Sequence, residues 1–167
     1  MKLNAIHKIL LNTDGSITGI IEAVTGNIVE LETIEQKIIK CDEELALKLN
    51  INKDDDVNFR VVKLKAGGEI YALAISYTPL KRLEDKFKED LLRADIPIGK
   101  IMKKHDIEAR REIRWKKVIK ADKNLSKELK IHEGAVVLAR NYDIIHKGEI
   151  LINITEFFPA ERFEKCC

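Results

Sequence analysis

The chain has 167 residues, 45% of them hydrophobic and 35% charged, with a net charge of +2. That length buries roughly two-thirds of the unfolded surface in one domain, and the near-neutral balance lacks both the basic excess of a nucleic-acid binder and the charge of an acidic tail. No apolar run approaches the ~20 residues that span a bilayer, and no signal-peptide core opens the chain, so the reading is a cytoplasmic protein with neither membrane nor nucleic acid as partner.

Apolar residues at Leu3, Ile6, Leu10 and Leu11 predict a first helix within Met1–Leu11. Thr13-Asp14-Gly15 reads as a turn. Ser16 is placed to cap a second helix through Ile17, Ile20, Ile21 and Val24, which Gly26 ends. Asn27 to Cys41 alternates and predicts a long strand, and Glu43–Leu49 a short helix. Asn58–Leu64 is the next strand, with Arg60, Val62 and Leu64 on one face. Leu80–Arg93 predicts one amphipathic helix whose stripe is Leu83, Phe87, Leu91 and Leu92. In Asp95-Ile96-Pro97-Ile98-Gly99, Pro97 suits the first position of a helix, whose free N–H groups would form an anion site.

Ile107 to Val118 alternates again. Ile107, Ala109, Arg111, Ile113 and Trp115 share one face, and Glu108, Arg110, Glu112, Arg114 and Lys116 the other, so Arg111 joins the apolar face. The last strand lies in Lys147–Pro159, KGEILINITEFFP, after a Lys147-Gly148 turn. Period-2 parity aligns Ile150, Ile152, Ile154, Glu156 and Phe158. Glu156 thus points with isoleucines, where a carboxylate loses hydration worth several kcal/mol unless it is protonated, paired or hydrogen-bonded.

This unit occurs twice. GEIYALAISYTP (Gly68–Pro79) matches GEILINITEFFP (Gly148–Pro159) 80 positions on, and the ungapped match reaches back to Leu45 and Leu125, with Arg60/Arg140 and Glu69/Glu149 among its identities. Ser76 occupies the Glu156 position in the first copy, and its row of Ile70, Ala72, Ala74 and Ser76 is mostly small. That asymmetry predicts a pocket between the hairpins. The fold class is α+β: a single domain over 1–167, a mostly antiparallel sheet of about six strands with helices at its ends, and an internal duplication with repeats about 45–79 and 125–159.

Arg60 and Arg111 are the inward-pointing cations of this reading, and Glu156 the inward anion. They form either a buried ion pair or a pocket for a small carboxylate ligand, which an Arg grips bidentately. The basic run from Lys100 to Lys120 is interrupted by Glu108 and Glu112 and reads as a solvated strand face. His7, His105, His132 and His146 lack metal spacing, and neither a Gly-rich phosphate loop nor GxSxG occurs, so the default is a site without cofactor or metal. Cys41 and the adjacent Cys166 and Cys167 read as reduced and incidental. Richness in Lys, Glu and Ile with two Met fits a thermophile.

LLNTDGSIT (Leu10–Thr18), FRVVKLKAGGEIYALAISYTP (Phe59–Pro79), DIPIGKIM (Asp95–Met102) and LINITEFFP (Leu151–Pro159) resemble the chorismate lyase (chorismate pyruvate-lyase) family over nearly the whole chain. The resemblance implies an antiparallel sheet with helical flaps over an enclosed aromatic-acid site. It places the family's carboxylate-binding Arg on Arg60, a pocket-lining backbone amide on Ile98, the acid contacting the ring hydroxyl on Glu156, and a flap residue on Ile17. Ile17 replaces a Met, and Ile75 stands where some bacterial members have an Arg. The implied reaction is cofactor-free: chorismate yields 4-hydroxybenzoate and pyruvate, with Arg60, aided by Arg111, orienting the dianion, and with Glu156, its pKa raised by desolvation, transferring a proton. The same fold serves as the effector-binding (UTRA) domain of winged-helix repressors, so a small-molecule sensor is the alternative. The match starts by about Leu10, which leaves no room for a DNA-binding domain ahead of it.

Overall fold

The structure, a computed structural model, describes residues 1–93 and 96–164. Helices α1 (Ala5–Asn12) and α2 (Ile17–Thr25) precede strand β1 (Glu30–Lys40), helix α3 (Glu43–Leu49) and the hairpin β2 (Asp56–Ala66) and β3 (Glu69–Pro79). A second series follows: α4 (Asp85–Leu92), α5 (Ile98–Lys104), β4 (Arg110–Lys120), α6 (Lys123–Leu129), β5 (Val136–His146) and β6 (Glu149–Pro159). Short 3-10 turns, Leu80–Arg82 and Ala160–Phe163, close each series. The strands form one antiparallel sheet in the order β1-β2-β3-β6-β5-β4.

The two series are images of each other. Where the sequence match starts at Leu45, the recurrence of elements at an interval of 80 starts at α1, whose bounds recur in α4. Asp42 and Asp122 each accept the backbone N–H three residues on, capping α3 and α6. The hairpin turns Gly67-Gly68 and Lys147-Gly148 both take positive φ at two consecutive residues, the geometry of a type I′ turn. Ile75 pairs with Thr155, its own counterpart, while Leu73–Phe157 and Tyr77–Asn153 exchange places around it. A pseudo-two-fold axis therefore passes between β3 and β6.

Bulges correct the strict parity read from sequence. The register shifts at Thr33/Glu35 and Ile113/Trp115, and again at Leu64/Lys65 and Ile144/Ile145. Tyr71 and Leu151 are the extra residues in β3 and β6, and an extra residue turns the strand beyond it to the other face. Ile150 consequently packs with Leu49 and Tyr77 on the far face of the sheet, and Ile70 with Leu73 and Leu129. Leu151 and Ile152 stay on the Glu156 face with Ile154. Arg114 bulges likewise, so Trp115 pairs with Asn141 and leaves the face of Arg111 and Ile113.

Two further expectations change. Leu80–Arg93 is not one helix: Leu83 adopts an extended conformation, the chain restarts at α4, and Leu92 is exposed. Leu83 instead packs against the cluster of Phe87 and Leu91. Pro97 is the N-cap of α5 rather than its first residue. The long strand begins at Glu30, three residues later than read. Asp95, Cys166 and Cys167 lie outside the described residues. Cys41 is buried, and burial pushes its thiol pKa up.

One face of the sheet carries two clusters. At one end α1 and α2 pack Leu10, Ile17 and Ile21 against Leu138, Phe158 and Phe163. At the other, α4 and α5 pack Phe87, Leu91 and Ile101 against Ile144 and Ile152. Where the second hairpin places Leu138 and Phe158, the first has Asn58 and Thr78, both fully buried, and the Asn58 amide makes no hydrogen bond among the described residues. Burying an unbonded amide costs about 1–3 kcal/mol. Asn58→Leu is expected to raise stability by about 1 kcal/mol or more, read as an increase in the midpoint of chemical denaturation at unchanged m-value.

Candidate functional site

Two rows of side chains cross the sheet between these clusters. Register runs Arg60–Ser76–Ile154–Tyr142 along one, and Val62–Ala74–Glu156–Arg140 along the other. The axis relates one row to the other, so Arg60 is the counterpart of Arg140 and Ser76 of Glu156. Over the small residues Ala74 and Ser76 lies a cavity roofed by Ile17 of α2 and by Pro97 and Ile98 at the start of α5. Arg60, Arg111 and Glu156 reach it, and most of the remaining lining is apolar.

Its charges are organised by three arginines. Arg140 and Glu156 are an ion pair at 2.7 Å between almost fully buried side chains. The other Glu156 oxygen accepts the Tyr142 hydroxyl at 2.8 Å. Burial, reinforced by the Glu156 charge, pushes the Tyr142 phenol pKa far up, so this hydroxyl stays a donor. The Tyr142 ring lies 4.9 Å from the Arg140 guanidinium carbon and 6.0 Å from that of Arg111. The carboxylate is thus held at both oxygens, by an ion pair at one and a hydrogen bond at the other.

The same arginines tie down the flaps. Arg140 Nη1 donates to the Thr13 carbonyl at 2.7 Å, and Arg111 Nη1 to that of Asp14 at 3.1 Å, which anchors the α1–α2 turn. Arg60 Nη2 donates to the Ile96 carbonyl at 2.9 Å, anchoring the approach to α5. Within that second flap, Asp90 of α4 accepts from Lys104 at 2.8 Å and His105 at 2.6 Å, and these bonds hold its carboxyl pKa below the usual range. A wider groove runs beside Phe87 and His146, where Lys81 pairs with Asp55 and Arg82 donates to the carbonyls of Leu49, Asn50 and Ile150.

A sequence profile of the family described as Rv2949c-like chorismate pyruvate-lyase matches residues 11–166. The chain belongs to that family. A relative from Methanocaldococcus jannaschii, MJ0807, described as a candidate lyase, is 39% identical over 159 residues, covering 92% of this chain and 78% of its own. The fold is also that of effector domains of transcriptional regulators. PhnF from Mycobacterium smegmatis superposes with a TM-score of 0.76 at 14% identity, covering 90% of this chain and 66% of PhnF. The isolated PhnF effector domain gives 0.71 at 15%, covering 89% and 90%. The C-terminal domain of YurK from Bacillus subtilis gives 0.65 at 16%, covering 78% and 90%. Likeness at that identity concerns the fold alone, and it is the α+β, six-stranded antiparallel architecture of the chorismate lyase-like and UTRA domains.

Arg60, Arg111, Glu156, Ile17 and Ile98 all line the one cavity. Arg110, on the other face of β4, is exposed and pairs with Glu112. Sequence reasoning missed Arg140 and Tyr142. Arg140 carried a signal, its identity with Arg60 across the repeat, and an arginine given an inward role in one copy has the same orientation in the other. Tyr142 follows by parity two residues on. Among the described residues no helix is long and apolar enough to cross a membrane.

Proposed function

We propose that this family member is a chorismate pyruvate-lyase. The observation that carries the reading is a single flap-covered cavity with Arg60 and Arg111 in its wall and Glu156 in its floor. Arg60 grips the ring carboxylate, with the Ile98 backbone amide beside it; Arg111 meets the second carboxylate; Glu156 accepts from the ring hydroxyl. The bond between ring carbon and enolpyruvyl oxygen breaks, the adjacent carbinol carbon gives up its proton, and the electron pair left on carbon completes the aromatic ring. Enolpyruvate leaves and becomes pyruvate. The products carry all the atoms of chorismate, so the protein's task is to orient the dianion and exclude water, and orientation alone is worth several kcal/mol. Glu156, fixed by Arg140 and Tyr142, is aimed rather than free to rotate.

The test is to mix protein and chorismate and follow 4-hydroxybenzoate and pyruvate together. Equal amounts of both, with turnover falling at least 100-fold in Glu156→Gln, are expected. The fold shared with effector domains supports one other reading, a sensor. Thermal stabilisation by chorismate or 4-hydroxybenzoate without turnover would favour it.

A further inference from the structure

The groove beside Phe87 and His146 has a volume of about 470 Å³ and lies outside the flap-covered cavity. It is bounded by the 3-10 turn at Lys81 and Arg82, the chain that follows α5, and the β5–β6 turn. Leu83, Phe87, Ile107 and Leu151 supply its apolar wall, and all four belong to one packed cluster. The His105 ring, also in the wall, lies 5.6 Å from that of Phe87. The pseudo-two-fold axis carries this place onto the β2–β3 turn and the turn Ala160–Phe163. There the protein fills the space itself. Phe163 stands for Leu83 and Tyr71 for Leu151, and their rings meet edge to face at 5.3 Å, with Phe163 fully buried. The surrounding frame is common to both halves. Arg82 donates to the Asn50 carbonyl and lies 3.6 Å from Glu149, while Arg162 donates to the Lys130 carbonyl and pairs with Glu69. One frame thus encloses an aromatic pair in the first half and an open groove in the second.

We infer that this groove is a second ligand site, built for a small aromatic amino acid. The ligand's ring takes the place that the Phe163 ring holds in the first half. It rests on Leu83 and Leu151 and meets the Phe87 ring, where an aromatic contact adds to apolar burial. The polar end of the ligand follows from the rim, which carries both signs. Lys81 is paired with Asp55, and the Arg82 fork with three carbonyls. His105 holds Asp90, and His146 meets the Glu108 carbonyl. Lys147, on the exposed turn, is the cation placed to receive a carboxylate, and Glu84 and Asp106 are the acids placed to receive an ammonium group. A simple aromatic carboxylate lacks the group those acids call for, so this ligand differs from the one assigned to the flap-covered cavity.

The experiment is a calorimetric titration with L-phenylalanine, beside L-leucine, which keeps both charges without the ring, and 3-phenylpropionate, which lacks the ammonium group. Phenylalanine is expected to bind about tenfold more tightly than either. No binding of phenylalanine, or equal affinity for all three, would overturn the proposal. Leu83→Phe/Leu151→Tyr installs the rings of the first half in the groove and is expected to weaken phenylalanine binding about 100-fold. Lys147→Asn tests the same site without repacking, since asparagine suits the positive φ of that turn. It is expected to weaken binding about threefold, the size of an exposed charged contact. Unchanged affinity in either variant would overturn the proposal. Arg60→Ala is expected to bind phenylalanine like wild type; weaker binding there would put the ligand in the flap-covered cavity and overturn the proposal. None of these titrations contains chorismate, so a protein inert toward it would refute the lyase reading without altering this result.

Discussion

Arg60→Ala is expected to lower kcat/KM for chorismate by about 30- to 5,000-fold, since truncating one partner of a desolvated charged contact costs roughly 2–5 kcal/mol. Arg60 is 1% exposed, so the guanidinium has left bulk water and a carboxylate bound there is not screened as a surface ion would be. Its Nη2 is fixed by the Ile96 carbonyl, which sets the plane of the fork before a ligand arrives. Arg60→Lys should recover little of the loss, because an ammonium offers neither the bidentate geometry nor the tether to Ile96. Binding of 4-hydroxybenzoate, which keeps the ring carboxylate, is expected to weaken in parallel with kcat/KM, whereas a role confined to the flap would leave product affinity near wild type. Steady-state kinetics with product inhibition on the same samples separates the two.

The sequence made the repeat of the hairpins visible because strand residues are constrained on both sides of the sheet, and identities such as Arg60/Arg140 and Pro79/Pro159 survive there. It hid the repeat of the helical flaps. α1 and α4 need only apolar spacing, which Leu10 and Leu11 satisfy as well as Phe87 and Leu91 do, so their likeness lies in geometry rather than in identity. Period-2 reading of the strands fails at the bulges, since neither Tyr71 nor Leu151 differs chemically from a regular strand residue. Beyond the bulge, however, parity places Glu156 on the same face as Ile152 and Ile154, and Arg60 with Val62 and Leu64. The cavity lining was therefore legible as a set of inward residues. What was not legible is the pairing: Glu156 was matched with Arg60 and Arg111, while its partner is Arg140, one strand away in its own hairpin. Counting outward from the turn at 147–148 sets residue 140 opposite 155, and only the extra residue Leu151 shifts the register so that Glu156 faces Arg140.

Arg140→Met is expected to destabilise the protein by about 3–5 kcal/mol, because it strands a buried carboxylate without its counter-charge. For a domain of this size that corresponds to a fall in Tm of about 6–20 °C. The double variant Arg140→Met/Glu156→Met should recover most of the loss, since apolar side chains of similar length replace both charges and desolvation is no longer opposed. Tyr142 would lose an acceptor in the double variant, a cost of about 1 kcal/mol that keeps recovery incomplete. Turnover separates structure from chemistry here. If the ion pair serves only to hold the sheet together, restored stability should bring restored turnover of chorismate. If Arg140 and Tyr142 aim Glu156 at the ligand, the double variant folds like wild type, retains carboxylate binding at Arg60, and has kcat lowered at least 100-fold. Thermal unfolding, 4-hydroxybenzoate titration and kcat measured on the three proteins decide between these outcomes, and the second is expected because Glu156 lies in the floor of the cavity, where a merely structural pair would gain nothing from facing a ligand.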